Sequence, residues 1–189
     1  MKLLHSLRLA TALALLIPAH TAFAETSPAT ETKPASTPWL YENSDVPVDQ
    51  SWTFGVLDNG LRYAVKRNIV PAGQVSIRVR VDAGALHEED NELGFAHLME
   101  HLAFRGSEHV PEGEAKRIWQ RFGVSFGSDS NAQTTPTQTV YKLDLPNSSP
   151  ATLDESLKIL AGMVRAPNIS ESALQAERAI VQAELRESA

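Results

Sequence analysis

Residues Val75–Gly106 read VSIRVRVDAGALHEEDNELGFAHLMEHLAFRG. In the first part Val75, Ile77, Val79 and Val81 alternate with Ser76, Arg78 and Arg80, the period of a strand that buries one face. Gly84 ends that pattern. From about Glu92 to Phe104 the spacing is helical, with Asp90 or Asn91 placed to cap the first turn and Gly106 placed to stop the last.

Upstream, the apolar runs Trp52–Leu57 and Leu61–Val65 flank Asp58-Asn59-Gly60. Asn-Gly between two such runs predicts a hairpin whose two turn residues both take positive φ. Downstream, a short helix is expected around Glu114–Phe122. A second alternating strand follows over Thr137–Leu145, through Thr139, Tyr141, Leu143 and Leu145, and Pro146 ends it. Thr152 and Glu155 make a capping box ahead of Leu153, Leu157, Leu160 and Val164, and Ser170 caps a last helix. Strands that alternate, a hairpin and no βαβ rhythm predict an α+β fold, mostly antiparallel sheet packed with helices.

The beginning of the chain has a different character. Lys2 and Arg8 precede the apolar run Leu9–Ala19, and Ala22-Phe23-Ala24 stands before Glu25. This predicts a secretory signal peptide over residues 1–24, too short to span a bilayer, which needs about 20 apolar residues. Residues 25–38, rich in Ser, Thr, Ala, Pro and Glu, are expected to be a flexible linker, and residues 39–189 the folded domain. The chain has no cysteine, so neither a disulfide framework nor a lipid-modified cysteine is available. A periplasmic protein with no membrane span after signal cleavage is the expected product. Without residues 1–24 it has 15 basic and 23 acidic residues, a net charge of −8, which argues against nucleic acid as a partner.

His97-Leu98-Met99-Glu100-His101 carries the chemistry. Four residues turn a helix by about 400°, so His97 and His101 lie one above the other and can hold a single Zn²⁺ through their imidazoles. Glu100 is close enough to that face to act as a general base on a water at the metal without being a ligand. A catalytic zinc needs one more protein donor and an open position. The plainer alternative makes these residues the solvated side of a helix whose core face is Phe95, Leu98 and Leu102. His87, His109, Arg78 and Arg80 belong to no complete motif and are expected at the surface.

The pattern H-x-x-E-H, within GFAHLMEHLAFRG, resembles the inverted zinc motif of the pitrilysin and insulinase peptidases. Leu57–Arg62 and Gly84 are also similar to that family's pattern, and the likeness runs from about Phe54 to Glu187. It implies a metallopeptidase half-domain of the mitochondrial-processing-peptidase-like type and a metalloendopeptidase that hydrolyses oligopeptides or unfolded polypeptides. The stretch Glu177-Arg178-Ala179-Ile180-Val181-Gln182-Ala183-Glu184 resembles the family's third-ligand helix. The resemblance implies Glu184 as third zinc ligand, with Glu177 supporting the site from behind and standing as the alternative ligand. A further alternative leaves Glu171, Glu177, Glu184 and Glu187 all solvated. Asn131-Ala132-Gln133-Thr134 is similar to the family's substrate-pairing edge strand, which implies Asn131 and Ala132 as substrate-binding residues that add a peptide as an extra strand. Pro136 would remove one donor from a ladder there.

The resemblance further implies a C-terminal half-domain or partner subunit, and makes this chain an N-terminal half expected to be truncated after the ligand helix. Two other classes compete with an enzyme. One is a noncatalytic peptide- or partner-binding subunit of the same family, against which the intact His97, Glu100 and His101 count. The other is a zinc-storage protein, for which more histidine is expected.

Overall fold

The computed structural model describes residues 38–39 and 41–187. The expected signal peptide and all but the last residue of the expected linker lie outside the described residues. Those described form two compact units, one ending at Lys66 and one starting at Arg67.

The first unit is the hairpin, β1 (Trp52–Val56) and β2 (Arg62–Lys66), paired antiparallel from Trp52↔Lys66 to Val56↔Arg62. The expected turn is corrected in one respect. Gly60 takes φ 87°, but no residue other than glycine has positive φ among those described, so Asn59 does not. Gly60 N–H donates to Leu57 O at 2.9 Å and Leu57 N–H to Leu61 O at 2.8 Å, closing a three-residue loop with one left-handed position in place of two. The physical reason is the extra residue, Asp58, which lets an ordinary turn precede the glycine. Trp39 and Tyr41 pack on Phe54 with ring centroids 4.9 and 5.0 Å away, and the Arg62 guanidinium sits 3.8 Å from the Trp39 ring centre.

In the second unit β3 (Val75–Val81), β4 (Ser130–Thr134) and β5 (Thr139–Leu145) make an antiparallel sheet of order β3-β5-β4. β5 is central, and its alternation appears as burial: Thr139, Tyr141, Leu143 and Leu145 are buried and the residues between them half-buried. Those side chains meet Trp119 of α2 (Glu114–Arg121), Ile159, Leu160 and Met163 of α3 (Pro150–Arg165), and Ala103 of α1 (Phe95–Ala103). Burying such side chains is worth about 1.5–3 kcal/mol each. On the opposite face Arg78 pairs with Asp144 at 2.8 Å, so the arginine sits in solvent as its register predicts. The fold is α+β with antiparallel sheets, as expected.

Helix starts account for the other corrections. α1 begins at Phe95, later than expected, and neither Asp90 nor Asn91 caps it; the Glu88 carboxylate accepts from Gly94 N–H at 2.8 Å and Ala96 N–H at 2.7 Å. Gly94 has φ 91°, a left-handed turn that glycine takes without strain. α3 is capped by Ser149, with Thr152 as its reciprocal partner and Pro150 at the first helical position. The capping box is therefore Ser149 with Thr152 and not Thr152 with Glu155. The last helix, α4 (Glu171–Glu187), starts on Ser170, whose hydroxyl accepts from Ala173 N–H at 3.1 Å. α1 lies against both α4 and β4. That packing assembles the site.

Candidate metal centre

One helical turn puts the His97 and His101 Nε2 atoms 3.2 Å apart, with the rings nearly perpendicular at 78°. Glu184, from α4, brings Oε2 to 3.3 Å from His97 Nε2 and 3.5 Å from His101 Nε2. These three side chains form a group able to hold a metal ion. The size of the triangle tests the metal: donors about 2.0–2.1 Å from a tetrahedral zinc stand about 3.3–3.4 Å from one another, and the observed edges match. Two imidazoles and a carboxylate also fit zinc in donor chemistry.

Glu177 takes the other side of His101. Its Oε2 lies 3.0 Å from His101 Nδ1, and its Oε1 accepts from Arg105 Nε. A proton on Nδ1 shared with this carboxylate leaves Nε2 with the lone pair a metal requires. The Glu177 side chain is 10% exposed, against 46% for Glu184. Burial on this scale does not fit a merely solvated acid, whereas Glu171 and Glu187 are exposed. Hydrogen bonding to Glu177, and then to Glu112, holds the Arg105 guanidinium above its usual range.

Glu100 is buried at 8% exposure, which does not fit the alternative of a solvated polar stripe; of the core face in that alternative, Leu102 is buried, Leu98 half-buried and Phe95 54% exposed. α1 turns Glu100 toward β4, where the Thr134 hydroxyl donates to its Oε2 at 2.6 Å. Thr139 stands opposite Thr134 and donates to Ala83 O at 3.0 Å. Burial, and then the charge of Glu100, push the nearby Tyr141 hydroxyl up to about 12.

β4 is one of the two edge strands of its sheet among the described residues. Asn131 is exposed, and its Oδ1 accepts from Ala132 N–H at 2.9 Å. Pro136 lies beyond β4 in a turn closed by Thr135 N–H to Gln138 O, so it costs the strand no donor. Asn131, Ala132, Phe104, Phe126 and Lys116 join the histidines and glutamates around a cleft of about 590 Å³.

The four other residues singled out lie at the surface: Arg78 and Arg80 pair with acids, His109 is exposed beside Glu108, and exposed His87 accepts from Gly84 N–H through Nδ1. Sequence reasoning missed Arg105 and Thr134 as parts of the site. Arg105 had a signal, standing four residues after His101 on the same helical face; Thr134 had none connecting it to Glu100.

Residues 63–189 match the family Insulinase (Peptidase family M16). The chain is 35% identical over 141 residues to the probable zinc protease PqqL of Escherichia coli K12, covering 75% of this chain and 15% of that protein. It is 35% identical over 147 residues to the probable zinc protease PqqL of Haemophilus influenzae, covering 78% and 16%. The crystal structure of the first half of the periplasmic protease PqqL from Escherichia coli superposes with a TM-score of 0.71 at 34% identity, over 75% of this chain and 30% of that one. The chain thus spans about one-sixth of the curated relatives it matches. Among the described residues no helix is long and apolar enough to cross a membrane. Family match, sequence identity and shared fold agree: this chain belongs to the insulinase family of peptidases, M16.

Proposed function

We propose that this chain carries the zinc-binding part of a metalloendopeptidase that hydrolyses oligopeptides or unfolded polypeptides in the periplasm. The observation that carries this reading is the 3.2–3.5 Å triangle of His97, His101 and Glu184 beside a buried glutamate, Glu100. The zinc-protease names of the relatives support it, and the periplasmic solved relative and the leader-like residues 1–24 support the compartment.

In this reading His97, His101 and Glu184 hold the ion and Glu177 holds the His101 ring. Zn²⁺, when bound, supplies Lewis-acid polarisation of the scissile carbonyl and lowers the pKa of a water toward about 7. Glu100 keeps Oε2 on the Thr134 hydroxyl, takes the water's proton at Oε1 and delivers it to the departing amine nitrogen. The water oxygen joins the carbonyl carbon, the C–N bond breaks, and no side chain is acylated. The edge of β4 at Asn131 and Ala132 pairs with substrate backbone, which replaces Asn131 Oδ1 as partner of the Ala132 N–H. Binding through main-chain atoms suits substrates of many sequences. The Glu184 side chain is 46% exposed, and in this reading a further half-domain or partner subunit covers the cleft.

The test is zinc-dependent cleavage of a quenched unstructured peptide by the parent protein and Glu100→Gln. The expected result is cleavage by the parent only, with zinc bound by both. Equal cleavage rates would overturn the role of Glu100; a parent that binds no zinc would overturn the metal assignment.

A further inference from the structure

We propose that Arg105 is a positioning residue of the metal centre, which fixes the Glu177 carboxylate so that His101 keeps Nε2 turned toward the ion. The inference rests on the zinc reading above and adds a residue to it. Glu177 is a buried carboxylate, and such a group is stable only where its oxygens are paired. Its two oxygens are divided, Oε2 to His101 Nδ1 and Oε1 to Arg105 Nε. The orientation of the imidazole therefore depends on a carboxylate whose own orientation depends on the guanidinium.

Arg105 is in turn held from outside. Its Nη1 donates to Glu112 Oε1 at 2.7 Å and its carbonyl accepts from Gly113 N–H at 2.8 Å. The connection folds tightly back at Gly106, where an added Cβ would stand 3.0 Å from Glu112 N and 3.1 Å from Val110 O. His101, Glu177, Arg105 and Glu112 thus form one chain of charge-assisted hydrogen bonds from the cleft to the surface. Two separate nitrogens of a planar fork make the two carboxylate bonds, which a lysine cannot reproduce.

The experiment is zinc affinity of the full chain, measured by competition with a chromophoric chelator. Arg105→Ala, Arg105→Lys, Glu177→Ala and the double variant Arg105→Ala/Glu177→Ala are compared with the parent. Arg105→Ala and Glu177→Ala are each expected to weaken zinc binding about 10–100-fold, the usual cost of losing an orienting partner. Because Arg105 acts through Glu177, the double variant is expected to bind within about twofold of Glu177→Ala. A general loss of structure would instead add to the effect of Glu177→Ala. Arg105→Lys, which keeps the charge and stem, is expected to fall between parent and Arg105→Ala, and it carries the test if Arg105→Ala does not fold in chelator. Parent-like affinity in the folded arginine variants, or fully additive losses, would overturn the inference and leave the zinc reading intact. A parent that binds no zinc would overturn both.

Discussion

The Thr134 hydroxyl donates to Glu100 Oε2 at 2.6 Å, joining strand β4 to helix α1 across 34 positions of chain. Thr139, directly opposite, is tied to Ala83 O, so the threonine that meets the glutamate stands on a fixed support. On the proposed role of Glu100 as general base, Thr134→Val is expected to lower kcat about 10–100-fold with little change in KM, as for a catalytic group displaced by a fraction of an ångström. Thr134→Ser is expected to keep most of the rate. Steady-state kinetics on the active protein check this, and a change confined to KM would assign Thr134 to substrate binding.

Zinc binding to the folded state alone should raise stability by linkage. At free zinc about 100 times Kd the gain is about 2.7 kcal/mol, seen as a higher melting temperature. His97→Ala removes one corner of the donor triangle and is expected to abolish the zinc-dependent rise while leaving the metal-free melting temperature nearly unchanged. A rise that survives in His97→Ala would locate the zinc elsewhere.

Gly84 is extended at φ −161°, so its need for glycine comes from close approach and not from backbone conformation. A Cβ there would stand 2.1 Å from Thr135 O and 2.8 Å from Gln138 N, both backbone atoms of the turn after β4. Gly84→Ala is expected to cost about 1–3 kcal/mol through overpacking, read as a lower urea midpoint. An unchanged midpoint would mean that the Thr135–Gln138 turn yields freely.

Burial, and then the nearby charge of Glu100, push the Tyr141 hydroxyl up to about 12, above the usual tyrosine value of about 10. The neutral form is favoured by folding, so this contribution to stability is fully present below pH 10. It is lost as the pH rises from 10 to about 12, by about 2–3 kcal/mol. Denaturant unfolding across that range should show the decline for the parent and a shallower one for Tyr141→Phe. Identical slopes would remove the assignment.

Elements whose evidence is local were legible in the sequence. β3 and β5 followed from alternation, and His97 and His101 shared a face because the period of a helix requires it. The caps were less legible: Asp90 and Asn91 are good capping residues, yet Glu88 does the work from outside the first turn. A carboxylate that reaches back over a glycine turn leaves no fixed spacing to read. Asn59-Gly60 gave the hairpin correctly and the turn incorrectly, since one additional residue changed which positions need positive φ.

The sequence by itself determined that two imidazoles and a glutamate share one helix, and its family resemblance ranked Glu184 above Glu177. Spacing alone left those two glutamates equivalent, because seven residues bring a helix back to nearly the same face. The tertiary structure separated them: α4 crosses α1 so that Glu184 meets the Nε2 atoms of both histidines and Glu177 meets Nδ1 of His101. It also brought Thr134 to Glu100 and Arg105 to Glu177, pairs 34 and 72 positions apart. Periodicity encodes which face of an element is apolar, but not where another element's side chain will lie against it; that is decided when α1, α4 and β4 pack together.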